Sequence, residues 1–315
     1  MPAANLLEYA KLGRSPQEKG VINMFASSLT FFNYITFETI SGGAVKFNRT
    51  SSIPTVAFRG INETYTPSVG AVTPMVEQLF IFGGEVNCDR KLVQWHGPGY
   101  LDLYVQTQIQ NLAHTFAQKF IKGDTSTEPR EWDGLQIRAS GAQLIDAKTT
   151  PTSGGDAISV EKMHEAWLAV EGGPTAILTT RRMITILTMG ALDVNVGGYV
   201  TSQLNQFGRR VDFWNGVPLV PMDELGHAHV PLAFDEVGGG GGSAVTTSMY
   251  FCRFGDGMLT AIQDGPPLID NFQALETAPL SKFRVDWGVG LAAYHGRSFV
   301  RLRGIKDAAM TKVPA

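Results

Sequence analysis

The sequence predicts an α+β protein with a β-ribbon that projects beyond its own core. Three observations lead there: one amphipathic helical stripe of roughly six turns, an upstream pair of extended segments with no clean core face, and a C-terminal half of short strands broken by Gly, Pro and Asn. The 315 residues are 43% apolar, enough to build a core, and carry 35 glycines. Only 17% are charged, below the usual quarter. A low charge density leaves surface that can be buried against a partner without desolvating ions. The net charge of -3 gives no overall basic balance of the kind that grips nucleic acid.

Residues 1–45 read as an arm. A short amphipathic piece (Leu6, Leu7, Tyr9, Ala10) gives way to polar residues and then to "MFASSLTFFNYITFETISGG", whose Phe, Tyr, Ile and Thr favour extended structure, with a helix as the alternative. Phe31, Tyr34 and Phe37 need a surface to cover them. The ribbon follows. In "IPTVAFR" Val56 and Phe58 share one face, and Thr55, Ala57 and Arg59 the other; the return strand "EQLFIF" sets Leu79 and Ile81 against Phe80 and Phe82. The connection holds Pro67, Gly70 and Pro74 and is too long for a tight turn. Two strands alone are marginal in water, so something must cover them.

The stripe Leu101, Val105, Ile109, Leu112, Phe116 and Phe120 then repeats at steps of three and four. Pro98 suits its opening, Asp102 its positive end, and Lys119 and Lys122 its negative end, with Gly123 expected as a left-handed stop. Burying these six side chains stabilises by at most on the order of 10 kcal/mol. A second helix is expected over about 160–170, with Val160, Met163, Trp167 and Val170 inward and Gly172-Gly173-Pro174 ending it. "TAILTT" reads as a buried strand. Thr180 caps a third helix, "RRMITILTMG", that buries Met183, Ile184 and Leu187. From about Leu192 short strands alternate with breakers: "FWNGVPLVPMDEL", "TSMYFCRF", "GMLTAIQDG", and finally "KFRVDWGVGLAAYHGRSFVRLRGIKD". The Gly run of "DEVGGGGGSAVTTS" is expected to be a mobile loop. No repeat of solenoid length is visible.

Chemical motifs are scarce. Gly288, Gly290 and Ala293 match GxGxxA, but strand flanks them on both sides and no acidic residue follows at the dinucleotide distance. His227 and His229 form an HxH pair without a third ligand, and His96, His114, His164 and His295 are isolated. Cys88 and Cys252 lie far apart without metal spacing and read as reduced thiols, a single disulfide being the alternative. There is no GxSxG elbow and no phosphate-binding GxxxxGK[ST] loop. Arg181-Arg182 at a helix start could meet a phosphate, though an exposed or ion-paired face explains them. The opening residues lack the basic-then-apolar order of a signal peptide, and no window approaches 18 uninterrupted apolar residues. These readings expect no catalytic site, cofactor or metal.

The order of parts resembles the major capsid protein of tailed bacteriophages, the Hong Kong 97-like fold. Stretches that carry the likeness are "SSIPTVAFRGINETY" and "FGGEVNCDRKLV", "WDGL" after the helix, "TAILTTRRMITIL", "FWNGVPLVPMDE" and "FRVDWGVGLAAYHGRSFVRLRGI". The resemblance implies an N-terminal arm at 1–45, an extended loop at 46–88, a peripheral domain at 89–190 with 270–315, and an axial domain at 191–269 meeting its copies around five- and six-fold axes. It implies assembly as hexamers and pentamers into an icosahedral virion capsid around double-stranded DNA, built in the host cytoplasm, without sequence-specific DNA contacts or a membrane. Portal and decoration proteins are further implied partners. An arm that begins almost at Met1 points to a separate scaffolding protein. Inter-subunit contacts are expected at Phe31, Tyr34, Phe37, Arg49, Phe58, Arg59, Glu63 and Arg90. No Lys occurs between Phe47 and Arg90, so the Lys–Asn cross-link of some relatives is not expected. An encapsulin-like nanocompartment shell is the nearest rival. From other classes come a two-domain hydrolase with paired carboxylates, expected as a small oligomer, and a β-rich binding module, expected as a stable monomer.

Overall fold

The helical stripe that begins at Leu101 closes one side of the molecule in the computed structural model, which describes residues 29–97, 99–192, 198–204, 210–223, 230–255, 257–274 and 279–314. The expected amphipathic piece at Leu6 to Ala10, the helix-opening Pro98 and the His227/His229 pair lie outside these residues. The chain enters through a short 3-10 turn (Thr30–Asn33) and strand β1 (Phe37–Thr39). Strands β2 (Ala44–Ser52) and β3 (Ala71–Gln78) follow, then β4 (Phe80–Asp89). Helix α1 (Arg90–His96) opens where the Asp89 side chain accepts a hydrogen bond from the Lys91 N–H, and α2 (Gly99–Lys122) is the 24-residue spine. The single turn α3 (Leu135–Arg138) leads to β5 (Leu144–Asp146), α4 (Val160–Ala169), β6 (Ala176–Thr179) and α5 (Arg181–Gly190). Then come β7 (Val200–Leu204), β8 (Arg210–Trp214), β9 (Val217–Pro221), β10 (Glu236–Val237) and β11 (Ala244–Cys252). Strands β12 (Leu259–Gln263), β13 (Leu268–Ala274), β14 (Leu280–Ala293) and β15 (Phe299–Lys306) complete the chain.

Two sheets share these strands. In the first, β14 pairs antiparallel with β4, β12 and β13, and β1 adds in parallel beside β12. The period of two in β14 decides its faces: Phe283, Val285, Trp287, Val289 and Leu291 turn inward, while Lys282, Arg284 and Asp286 turn outward. The inward row meets Ile109, Leu112, Phe116 and Phe120 of the spine, with the Phe116 and Trp287 rings stacked at 5.7 Å. Leu101 and Val105, nearer the start of the stripe, are half-buried. Lys119 and Lys122 sit in the last turn as expected and pair with Glu131 at 2.5 Å and Asp235 at 2.7 Å. Gly123 is not a left-handed stop. Its φ is ordinary, and glycine is required because a Cβ would lie 2.3 Å from the Trp132 carbonyl oxygen. The same close return explains "WDGL": Trp132 is buried against Phe80, Phe82 and Phe116, and Gly134 donates its N–H to the Gly123 oxygen at 2.9 Å.

The second sheet runs β5-β15-β11-β6-β9-β8-β7, with β10 beside β11. Apolar residues bury on both of its faces. Met249 and Phe251 of β11 pack with Met163 of α4 and Met183 and Leu187 of α5, while Tyr250 and Cys252 join the core under the spine. Ser159 and Thr180 cap those helices by accepting the N–H groups of Lys162 and Met183, at 3.3 and 3.1 Å. β8 and β9 are joined by Asn215 and Gly216, both left-handed at φ 47° and 79°, the backbone of a two-residue hairpin turn.

Three expectations change. The boundaries expected at 190/191 and 269/270 cut across this sheet, because β11 pairs with β6 on one side and β15 on the other. The Gly run is packed rather than loose: Gly154 donates to the Gly241 oxygen at 3.0 Å, and a Cβ on Gly239 or Gly240 would strike Asp146 or the backbone of Thr152. Phe31 and Phe37 are fully buried inside the chain, ringed by Phe120, Phe254, Phe116 and Trp287, so they serve this core and not a subunit contact. Tyr34 packs half-buried against the same core. The aromatic residues of "TFFNYITF" thus find cover at home, in a 3-10 turn and a three-residue strand rather than a long extended arm.

Candidate assembly surface

The projecting element is the ribbon of residues 44–78, shorter at its C-terminal end than the expected 46–88. β2 and β3 pair only with each other among the described residues, whereas β4 belongs to the first sheet. The strands are also displaced along the chain: "IPTVAFR" is not a strand but part of the tip, and "EQLFIF" straddles the end of β3 and the start of β4. Phe80 and Phe82 reach Trp132 beneath the sheet, which fixes β4 there and leaves Ile81 exposed.

At its root the ribbon is held by this chain. The Glu77 carboxylate accepts a two-pronged pair from Arg138, Nη1 to Oε1 at 2.6 Å and Nη2 to Oε2 at 2.9 Å. Arg49 donates to the Ala293 carbonyl oxygen, and the Phe47 ring meets Tyr294 edge-on at 4.9 Å. The Gln78 oxygen passes 2.4 Å from where a Gly290 Cβ would stand, so the second glycine of the GxGxxA match is there for the crossing of two backbones.

At its tip the ribbon has shape without a core. Ser68 Oγ accepts the Thr55 N–H at 2.8 Å, Ser52 Oγ accepts the Ala71 N–H at 3.0 Å, and Glu63 Oε2 accepts the Gly60 N–H at 2.8 Å. Arg59 donates to the Glu63 carbonyl oxygen at 3.0 Å and stands over the Tyr65 ring at 5.4 Å. Ile53, Val56, Phe58, Ile61 and Val69 project outward, each at least 83% exposed. Fully covering such side chains is worth about 1.5–3 kcal/mol apiece, and nothing among the described residues does so. An apolar cluster of this kind marks a surface meant for a partner.

The structure therefore gathers three of the expected contact residues, Phe58, Arg59 and Glu63, at one place. Arg59 and Glu63 are already engaged in the tip's own turn. Arg49 belongs to the root, where its contact is internal. Arg90 is exposed at the opening of α1, its N–H on the Pro279 oxygen at 3.1 Å. Glu77, Arg138 and Gly290 were not legible as partners, because their chain separations carry no short-range pattern.

Asp146 and Glu236 face cations, while buried Asp156 accepts from Thr152 and Asp133 from Thr125. Asp146 pairs with Arg303 at 2.7 Å, and buried Glu236 pairs with Arg301 at 2.9 Å and accepts from Ser248. The paired-carboxylate arrangement of a hydrolase would need two acids across one gap. Among the described residues no three His, Cys, Asp or Glu side chains come together as a metal site. His96 and His164 lie against tyrosine rings, and the His295 Nδ1 accepts the Arg297 N–H. Cys88 and Cys252 are free and buried, and full burial pushes the Cys252 thiol far up. No helix among the described residues is long and apolar enough to cross a membrane.

No family model and no curated protein matches the sequence. Solved structures do match in shape. An encapsulin, SrpI from Synechococcus elongatus PCC 7942, is 14% identical, with 89% of this chain and 88% of that one superposed at a TM-score of 0.62. The capsid of an empty GTA particle is 9% identical over 88% and 90%, at 0.60. The capsid of Myoviridae phage XM1 is 12% identical over 88% and 92%, at 0.57. The chain has the α+β, Hong Kong 97-like fold of capsid and encapsulin shells.

Proposed function

We propose that this chain is a shell subunit that assembles with copies of itself, and that it forms the major capsid shell of a tailed bacteriophage. The observation that carries this reading is the division of the ribbon: a root tied to its own sheet and a tip of outward apolar side chains with no cover among the described residues. A surface repeated on every copy and complementary to a second site on every copy closes into rings when the rotation from one copy to the next is five- or six-fold. Hexamers and pentamers so formed tile an icosahedral shell, and contacts of obligate type bury more than ~2,000 Å² per interface. The low charge density supports such burial, and the net charge of -3 suits a wall that does not hold its DNA tightly.

The likeness to an encapsulin supports a second reading on the same fold, a shell around protein cargo. Particle contents separate the two. Purified protein examined by negative-stain electron microscopy is expected to show closed shells, and particles recovered from producing cells are expected to carry nuclease-protected double-stranded DNA. Protein cargo in place of DNA selects the encapsulin reading; a soluble species of one to four chains at every concentration rejects both.

A further inference from the structure

We infer that Arg138 is a positioning residue that sets the direction in which the 44–78 ribbon projects, acting as a latch against a hinge at Gly42-Gly43. The inference rests on the assembly reading for its purpose, though not for its geometry.

A two-stranded ribbon joined to a body by two chain crossings is a lever. At one crossing Gly42 and Gly43 are both left-handed, at φ 94° and 75°, and neither has an atom within 4 Å of its Cβ position. Both glycines hold backbone angles that other residues adopt only with strain, and there is room beside each of them. At the other crossing β3 runs into β4 through Leu79 alone, whose N–H bonds the Gly43 oxygen at 2.9 Å. This bond closes the neck but fixes no angle to the sheet.

The angle is fixed by contacts beyond the neck, and Arg138 makes the most directional of them. Its Nε donates to the Asp133 oxygen at 2.6 Å and its Nη2 to the Leu291 oxygen at 3.2 Å, so the guanidinium is bound to the loop before α3 and to β14 at once. Its remaining bonds are the two-pronged pair with Glu77 of β3. Four N–H bonds to three separate segments leave the planar group no freedom to turn. The pair is mostly shielded, with side-chain exposures of 18% and 13%, so water does not compete freely for it. Arg49 on the Ala293 oxygen steadies the opposite strand.

Leverage makes the latch matter. Eight residues of β3 span roughly 26 Å, so a tilt of about 15° at the root carries the tip about 7 Å, a full side-chain length. A tip held in one direction is available to its partner at all times. A tip that swings is available only for a fraction of the time, and its apparent affinity falls by that fraction.

The test places spin labels at Val69→Cys on the tip and Gln110→Cys on the spine helix of the full chain, since the native Cys88 and Cys252 are buried. Pulsed dipolar spectroscopy of unassembled protein reads the distance between them. With the latch intact the distribution is single and narrow; Glu77→Gln, which leaves the other bonds of Arg138 in place, broadens it at least about twofold, Arg138→Gln does the same, and Arg138→Lys falls between. The unlabelled Glu77→Gln protein is expected to need about tenfold higher concentration to form shells. Glu77→Gln and Arg138→Gln distributions as narrow as the parent's overturn the latch, whatever the shells do. If the parent chain forms no shells while both variants broaden, the latch stands and the assembly reading falls.

Discussion

The two ends of one ribbon obey different rules. At the root, Phe47, Arg49 and Glu77 each have a named partner on the body of the same chain, and Gly290 clears the way for the Gln78 backbone. Some ten residues farther out, Phe58 and Ile61 have none among the described residues, and the tip keeps its shape by local polar contacts of Ser52, Arg59, Glu63 and Ser68. Polar bonds hold a turn in water but do not bury apolar surface, so the tip is ordered locally and unfinished chemically. The difference teaches where the fold of one chain ends and where the fold of the assembly begins.

Substitutions on either side of that line should separate cleanly. Trp132→Ala removes the ring beneath Phe80 and Phe82 and is expected to cost about 3–5 kcal/mol in denaturant unfolding. A loss under 1 kcal/mol would mean the root does not rest on this core. Gly290→Val forces β14 and the Gln78 backbone apart; about 1–3 kcal/mol is expected, with the ribbon displaced in a new structure. Glu77→Gln removes one acceptor oxygen and the opposite charge from a shielded guanidinium and should cost about 1–2 kcal/mol, discounted for the residual exposure of the pair. Phe58→Asp with Ile61→Asp is expected to change the stability of the unassembled chain by less than about 0.5 kcal/mol and yet to abolish shells seen by electron microscopy. Should that pair destabilise the isolated chain by several kcal/mol, the tip has an internal partner and the comparison collapses.

Much of the fold is written in short-range patterns. The spine stripe, the Thr180 cap and the buried "TAILTT" strand follow from periods of 3.6 and 2 and from one hydroxyl, and the structure has each of them. The ribbon's existence was legible, but its register was not. "IPTVAFR" alternates like a strand, yet alternation with both faces uncovered does not specify pairing, and the pairs form at 44–52 and 71–78 instead. Phe80 and Phe82 read as ribbon residues because nothing local says that Trp132, some fifty residues later, lies beneath them. Phe31 and Phe37 read as subunit contacts for the same reason: their cover comes from the spine and from β14, far along the chain. The expected boundaries follow composition, which changes at 190, whereas one sheet takes strands from both sides of them. Phe58, Arg59 and Glu63, expected on the ribbon as contacts with a neighbouring subunit, fall together at its tip, where no strand forms.

Hydrogen exchange measured on the same preparation before and after assembly tests the central claim most directly. The account predicts that amides of residues 53–70 not bonded within the tip exchange near the unprotected rate in the dissociated chain and slow by at least about 100-fold in closed particles, while 44–50 and 72–78 are protected in both. Protection of 53–70 already present in the dissociated chain, or none gained in finished particles, would contradict it.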